Sequence, residues 1–251
     1  MSKDTRELYN DTASRWERRE PNSLSDFTAR PRVFELCGDV TGAKILDLGA
    51  GEGYCAREMA LRGAAEVVGV ELSEQMVELA RRQQAADDQV ISYQVGDVTD
   101  LALPAERFDL ALGVFVYNYL TIEQTRESFK QVYKVLKPGG SFIFSVPHPA
   151  FPFIKREQTP PFYFDAQGGG YFSSRNQQCQ GEIFCRDGTS LSVQMIPKSF
   201  EDYFSALAQA GFTGMPVLEE LHVTEALLAL DQAFFAPLSD LPLHLAFKLQ
   251  K

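Results

Sequence analysis

Cysteine, histidine and tryptophan are scarce in this 251-residue chain, at four, three and one. Cys37, Cys55, Cys179 and Cys185 are too few and too scattered to staple a disulfide scaffold, so a reducing, cytoplasmic setting is the expectation. Cys179 and Cys185 have no companions at metal-ligand spacing, and no metal site is expected. No apolar run approaches the ~18 residues of a membrane span, so a membrane partner is not expected. The amino end, Met1-Ser2-Lys3-Asp4-Thr5-Arg6-Glu7, is charged and leads into no hydrophobic stretch, which argues against a secretory leader. Positive charge is in deficit. With 24 Lys+Arg against 34 Asp+Glu the formal charge is −10, a field that repels phosphate backbones and anionic lipid, so nucleic acid is not an expected partner either. Internal repeats and low-complexity tracts are also lacking.

What remains is an ordinary globular composition with enough apolar material for a core. Residues 1–40 are polar and helix-prone, broken by Pro21 and Pro31. Residues 41–147 alternate short β-branched runs with helical patterns, as βαβ units of a parallel sheet do. Strands are expected at Lys44–Leu48, Glu66–Val70, Val90–Val95, Phe108–Val114 and Ser141–Val146, mostly apolar on both faces, as strands covered on two sides must be. Between the last two, Thr121-x-x-Gln124 predicts a capping box, with Phe129, Val132 and Leu136 on one buried stripe. Lys137-Pro138-Gly139-Gly140 reads as a helix stop and a tight turn.

Residues 148–197 are rich in Pro, Gly and aromatics, including Phe151, Phe153, Phe162, Tyr163, Phe164, Tyr171 and Phe172. A hairpin is expected there, with Gln180–Cys185 and Ser190–Ile196 flanking Arg186-Asp187-Gly188-Thr189. So long a structureless loop is improbable, and the segment is expected to be a folded cap. Residues 198–251 then complete the core. Ser199 caps a helix carrying Phe200, Tyr203, Phe204 and Leu207 and ending at Gly211, and Phe212–Leu221 and Leu243–Leu249 are the expected closing strands.

The chemistry concentrates in the first βαβ unit. Ile45-Leu46-Asp47-Leu48-Gly49-Ala50-Gly51-Glu52-Gly53 is a strand running straight into a glycine turn, where a ligand can touch main chain because no Cβ intervenes. The dinucleotide fingerprint needs a glycine at position 54, and Tyr54 stands there, which disfavours a nicotinamide oxidoreductase. The second strand ends in Glu71, where a carboxylate can accept both hydroxyls of a ribose. The third ends in Gly96-Asp97-Val98, where one can lie near an adenine amino group. Each acid alone reads equally well as a strand-end turn or helix cap. Three at successive strand ends, on the edge where this fold binds ligands, point to a nucleoside.

With these residues in view, the chain resembles the Rossmann-like (class I) S-adenosylmethionine-dependent methyltransferases, specifically their small-molecule branch. Asp47-Leu48-Gly49-Ala50-Gly51-Glu52-Gly53 is similar to the family's first motif, Glu71-Leu72 with Met76 to its ribose acid and adenine flank, and Gly96-Asp97-Val98 to its adenine-reading stretch. Phe108–Val114 resembles the fourth strand, whose end at Val114 touches the cofactor. Leu136–Gly140 resembles the turn before strand five, and Tyr9 a tyrosine that closes over the cofactor. The resemblance implies a seven-stranded, mostly parallel sheet with the last strand antiparallel, and a cap inserted between strands five and six. It also implies an enzyme passing the methyl of S-adenosyl-L-methionine to an O, N, S or C nucleophile on a small molecule, with the N-terminal segment covering the cofactor. The alternative is a cofactor-binding regulatory or partner subunit without transferase activity.

Two departures bear on the acceptor. The Asn-Pro-Pro-aromatic stretch of amino-group methylases is replaced by Tyr117-Asn118-Tyr119, and Pro197 precedes Lys198 where similar chains carry a histidine. His148, just past strand five, is the candidate general base, with a turn histidine as its plainer reading. Tyr9, Phe115 and Tyr117 are candidates to flank a sulfonium, and Tyr117 is the second catalytic candidate. His222 and His244 read as structural. The aromatics of 151–172 are expected to serve as cap core, as a wall for an apolar or aromatic acceptor, or as both.

Overall fold

Runs of β-branched and aromatic residues that alternate with capped helices leave the chain little choice but a sheet covered on both faces. The computed structural model describes residues 4–17, 20–84, 90–154 and 161–251. The parts of the expected N-terminal segment at 1–3 and 18–19, and of the expected cap at 155–160, lie outside the described residues. Strands β1 (Lys44–Leu48), β2 (Glu66–Glu71), β3 (Ile91–Val95), β4 (Phe108–Val114) and β5 (Leu136–Pro147) come first. The strands β6 (Phe162–Asp165), β7 (Cys179–Phe184) and β8 (Ser190–Met195) form a separate antiparallel sheet. Finally, β9 (Val217–Leu221) and β10 (His244–Gln250) close the main sheet, whose order is β3-β2-β1-β4-β5-β10-β9. The first five strands are parallel, and β10 runs antiparallel to both β5 and β9. The strand order reverses beside β1, so the crevice for a ligand lies at the carboxyl ends of β1 and β4.

Helices α1 (Thr5–Thr12), α2 (Leu24–Thr28), α3 (Arg30–Cys37), α4 (Tyr54–Leu61), α5 (Glu74–Gln83) and α6 (Ile122–Val135) precede β5, and α7 (Phe200–Ala210), α8 (Glu225–Leu230) and α9 (Gln232–Phe235) follow the small sheet. Reciprocal capping boxes start α2 (Ser23 with Asp26), α6 (Thr121 with Gln124) and α7 (Ser199 with Asp202). Each supplies partners for backbone N–H groups that the helix itself leaves free. Pro31 does not break the N-terminal segment. It sits in the first turn of α3, where a missing N–H is harmless and a fixed φ helps. Leu136 leaves the α6 stripe for an extended conformation and pairs with Phe108, so β5 begins directly after the helix rather than after a turn.

The core on one face of the sheet is aromatic. Tyr117, Phe129, Phe142, Phe144 and Phe247 are all fully buried, with the rings of Phe144 and Phe247 stacked 4.5 Å apart. A further cluster joins Phe151, Phe162, Phe164 and Val193 of the cap region to Leu24 and to Phe235, Leu238 and Leu243. The small sheet therefore shares its core with residues 223–243, which fold as two short helices.

Lys198, at the start of α7, is buried and donates Nζ to the carbonyls of Leu120 and of Ile196 (2.9 Å). Burial pushes its ammonium down to about 7, against the opposing pull of Asp202. From about pH 7 up to the ordinary lysine value of 10.5 the unfolded chain holds a proton that the folded chain has shed, so this group makes stability rise with pH across that window. The slope is at most ~1.4 kcal/mol per pH unit. Thermal melts between about pH 7 and pH 9 are expected to show a rise in wild-type stability that Lys198→Met lacks.

Candidate functional site

Strand β1 delivers Asp47 and then turns sharply, with the amides of Gly49 (2.8 Å) and Ala50 (3.1 Å) both donating to the carbonyl of Val70 on β2. Gly49 (φ +65°) and Gly51 (φ +57°) hold left-handed backbone for different reasons. A Cβ on Gly49 would sit 2.7 Å from Val116 Cγ2, so that glycine answers to packing. A Cβ on Gly51 would meet only Met76 Cε at 3.7 Å, so that glycine borders open space. The turn is tied to β2 by Glu71. Its Oε2 accepts from Gly51 N and its Oε1 from Ser73 N, both at 2.9 Å, which leaves further lone pairs on each oxygen.

One cavity runs from this turn to the small sheet, and Asp47, Gly49, Ala50, Gly51, Glu71, Leu72, Met76, Gly96, Asp97, Val98, Val114 and Tyr9 all line it. Leu48 is buried in the core beneath the turn and does not. Asp47 is 1% exposed and its Oδ2 has no partner among the described residues. Burial first, and the Glu71 carboxylate second, push its carboxyl up to about 7. Asp97 is exposed, and its Oδ1 is occupied by Thr99 N (2.8 Å) and Thr99 Oγ1 (2.7 Å). The Tyr9 hydroxyl bonds that of Tyr119, and the Tyr9 ring lies between those of Trp16 (5.6 Å) and Tyr119 (5.5 Å). α1 thus stands across the mouth of the turn.

Residues 45–140 match the family model described as a methyltransferase domain. Over that stretch the chain is similar to methyltransferase domains. Over 156 residues it is 34% identical to a demethylmenaquinone methyltransferase of Clavibacter sepedonicus, covering 59% of this chain and 60% of that one. It is 30% identical over 104 residues to a ubiquinone biosynthesis O-methyltransferase of Coxiella burnetii, covering 41% and 43%. The chain spans about half the length of the curated relatives it matches. Among solved structures, an S-adenosylmethionine-dependent methyltransferase of Mesorhizobium loti superposes with a TM-score of 0.65 at 25% identity, over 88% of this chain and 96% of that one.

The two side chains expected to be catalytic, Tyr117 and His148, stay out of the cavity. Tyr117 turns inward at the end of β4, where its ring packs on Phe129 (4.8 Å) and Phe144 (5.3 Å) and its hydroxyl meets only Ser128 Oγ at 3.3 Å. Burial outweighs that one bond and drives its pKa upward, the opposite of what a base at neutral pH needs. Tyr117→Phe is expected to leave S-adenosylhomocysteine affinity unchanged and to shift stability by no more than about 1 kcal/mol, measured by calorimetry and urea unfolding. His148 lies in the turn after β5. Its Nδ1 accepts from Ala150 N (3.1 Å), which leaves Nε2–H to donate to Glu220 Oε1 (3.1 Å). Both ring nitrogens are thereby engaged, on the turn and on β9.

The cavity also gathers side chains that sequence reasoning passed over. Arg30, at the start of α3, lines it and is nearly buried. Its Nη1 donates to Ser25 Oγ and Asp26 Oδ1, both at 2.6 Å, while its Nε has no partner. His244, the first residue of β10, lines the cavity with Nδ1 unpartnered, and burial, aided by Arg30 and His148, pushes its imidazole down to about 3. Asn118 lines it as well, with Oδ1 unpartnered. Phe115 holds φ +57° between them, a strained conformation for a residue with a Cβ and a mark of a constrained site. Among the described residues, no group of His, Cys, Asp or Glu is placed to hold a metal ion, and no helix is long and apolar enough to cross a membrane.

Proposed function

We propose that the protein catalyses transfer of the methyl group of S-adenosylmethionine to a small, largely apolar or aromatic acceptor held between the glycine turn and the small sheet. The observation that carries this reading is the matched set of buried, unpartnered polar atoms in one cavity. Asp47 Oδ2 suits an ammonium group, and Arg30 Nε suits a carboxylate, so the two together suit the amino-acid end of the cofactor. Glu71 keeps lone pairs for the ribose diol, and Asp97, flanked by Leu72, Met76 and Val98, borders the space for the adenine. Arg30 is the one Lys or Arg among the described residues that line the cavity, so a bound carboxylate has a single charged partner there.

When bound, S-adenosylmethionine supplies a methyl carbon activated by its sulfonium. The residues of this chain hold and orient the two ligands, and holding reactants together can contribute up to ~7–11 kcal/mol. Tyr9, Trp16 and Tyr119 give the cavity aromatic faces suited to a cation, each worth on the order of 0.5–2 kcal/mol, whereas Phe115 already faces the Arg30 guanidinium. On the acceptor side Phe162, Phe164, Ile183 and Val193 of the small sheet present apolar walls. The relatives' names carry demethylmenaquinone and ubiquinone biosynthesis, ring compounds that such walls suit. Calorimetry with S-adenosylhomocysteine and with NAD tests the cofactor, and release of label from methyl-labelled S-adenosylmethionine in a metabolite mixture tests the transfer. Binding of NAD in place of S-adenosylhomocysteine would overturn the first claim. Tight S-adenosylhomocysteine binding with no acceptor-dependent turnover would overturn the second.

A further inference from the structure

His244 sits in the acceptor wall, and its hydrogen-bond partner favours one tautomer. Thr28 Oγ1 donates its proton to the carbonyl of Leu24 at 2.9 Å, the preceding turn of α2. The same oxygen lies 3.0 Å from His244 Nε2. While that proton is given to Leu24 O, the hydroxyl can only receive one from the ring, which puts the hydrogen on Nε2 and leaves Nδ1 a bare lone pair. That Nδ1 is buried and lacks any partner among the described residues, in a residue 1% exposed that lines the cavity. Asn118 Oδ1 is a second unpartnered acceptor on the same cavity, its amide nitrogen being engaged by Gln194 O at 3.3 Å. A buried acceptor left empty costs about 1–3 kcal/mol, which a ligand bearing a donor would recover.

The sign of charge the wall accepts follows from its neighbours. The His244 ring packs edge-on against Phe115 at 4.9 Å, and Arg30 Cζ lies 5.8 Å from the centre of that same ring. The guanidinium field opposes a positive charge at this place and favours negative charge developing on a donor's heavy atom. An ammonium is disfavoured on that ground. A carboxylate is disfavoured on another, because it offers two bare acceptors nothing to accept.

The geometry points to a neutral hydroxyl on an aromatic ring, a phenol-type O–H, as the group of the methyl acceptor that His244 Nδ1 receives in hydrogen bonding, with Thr28 as the residue that positions His244. This rests on the methyltransferase reading of the cavity and names its substrate class.

The test uses the whole chain, with and without S-adenosylhomocysteine, and three probes of one shape: 2-naphthol, 2-methoxynaphthalene and 2-naphthoate. Calorimetry on the wild type is expected to show naphthol binding about tenfold or more tightly than either analogue, the ratio that loss of one buried hydrogen bond implies. Nitrogen-15 NMR of the histidines is expected to show His244 Nδ1 unprotonated in the free protein and shifted only by naphthol. His244→Phe should remove the preference. Thr28→Val should weaken it and blur the tautomer, and Thr28→Ser, which keeps the hydroxyl, should restore both. Equal binding of naphthol and its methyl ether by the wild type, or a proton on Nδ1, overturns the proposal without recourse to any variant. A His244-dependent naphthol preference in a protein that fails to bind S-adenosylhomocysteine supports the acceptor site and removes the cofactor reading instead.

Discussion

Gly51→Val is expected to abolish S-adenosylhomocysteine binding in calorimetry while leaving a folded protein. The position is left-handed at φ +57°, and a Cβ there would touch only Met76 Cε at 3.7 Å, so the fold has room for the substitution. The backbone conformation costs roughly 1–2 kcal/mol for a residue with a Cβ, a shift in Tm of a few degrees in a domain of this size. The new methyl groups project where the main chain borders the cavity, so the proposed ligand meets a branched side chain instead of a bare turn. Gly49→Val is the informative contrast. Its Cβ would fall 2.7 Å from Val116 Cγ2, so that variant should lose stability outright. Normal binding by Gly51→Val would show that the ligand does not approach this turn.

Glu71→Ala is expected to weaken S-adenosylhomocysteine by about 10- to 100-fold, the loss of charge-assisted hydrogen bonds at roughly 1.5–3 kcal/mol. The carboxylate has two duties here. It bonds Gly51 N and Ser73 N, fixing the glycine turn to the start of α5, and it presents its remaining lone pairs to the cavity. Alanine removes both, so Tm should fall as well. Glu71→Gln separates the duties, since an amide oxygen can keep one backbone bond but offers no charge to a diol. Its affinity should fall nearly as far as that of the alanine variant while its Tm stays closer to wild type. Unchanged affinity in both variants would remove Glu71 from the site.

The parallel half of the fold was legible because β1 and β2 are short, mostly apolar runs that end at the Gly49 turn and at Glu71, and β4 is a longer apolar run. The capping residues Thr121 and Ser199 then placed the helices. Local signals misled where tertiary context decided. Pro31 looks like a breaker until its place in the first turn of α3 is seen, and Leu136 fits the α6 stripe although it pairs with Phe108 on β4. Residues 222–243 carry apolar residues without a clear period, and α8 buries none of its own, so two short helices went unread. The acids at the ends of β1, β2 and β3 could be grouped from sequence because parallel strands bring equivalent ends to one edge. The acceptor wall could not. Tyr117 and Tyr119 are two residues apart in one stretch of chain, and only the path of that turn sends one into the core and the other to Tyr9. His244 opens a strand, and a strand's first residue reaches the ligand edge only if the strand runs backwards, as β10 does.

That reversal divides the two halves of the cavity along the chain. In the proposed reading the donor side draws on Tyr9, Trp16, residues 30–98 and the end of β4, whereas the acceptor side draws mainly on 162–244, outside the 45–140 stretch that matches the family model. On that reading, substitutions in the later segment are expected to exchange one acceptor for another without disturbing how the donor is held.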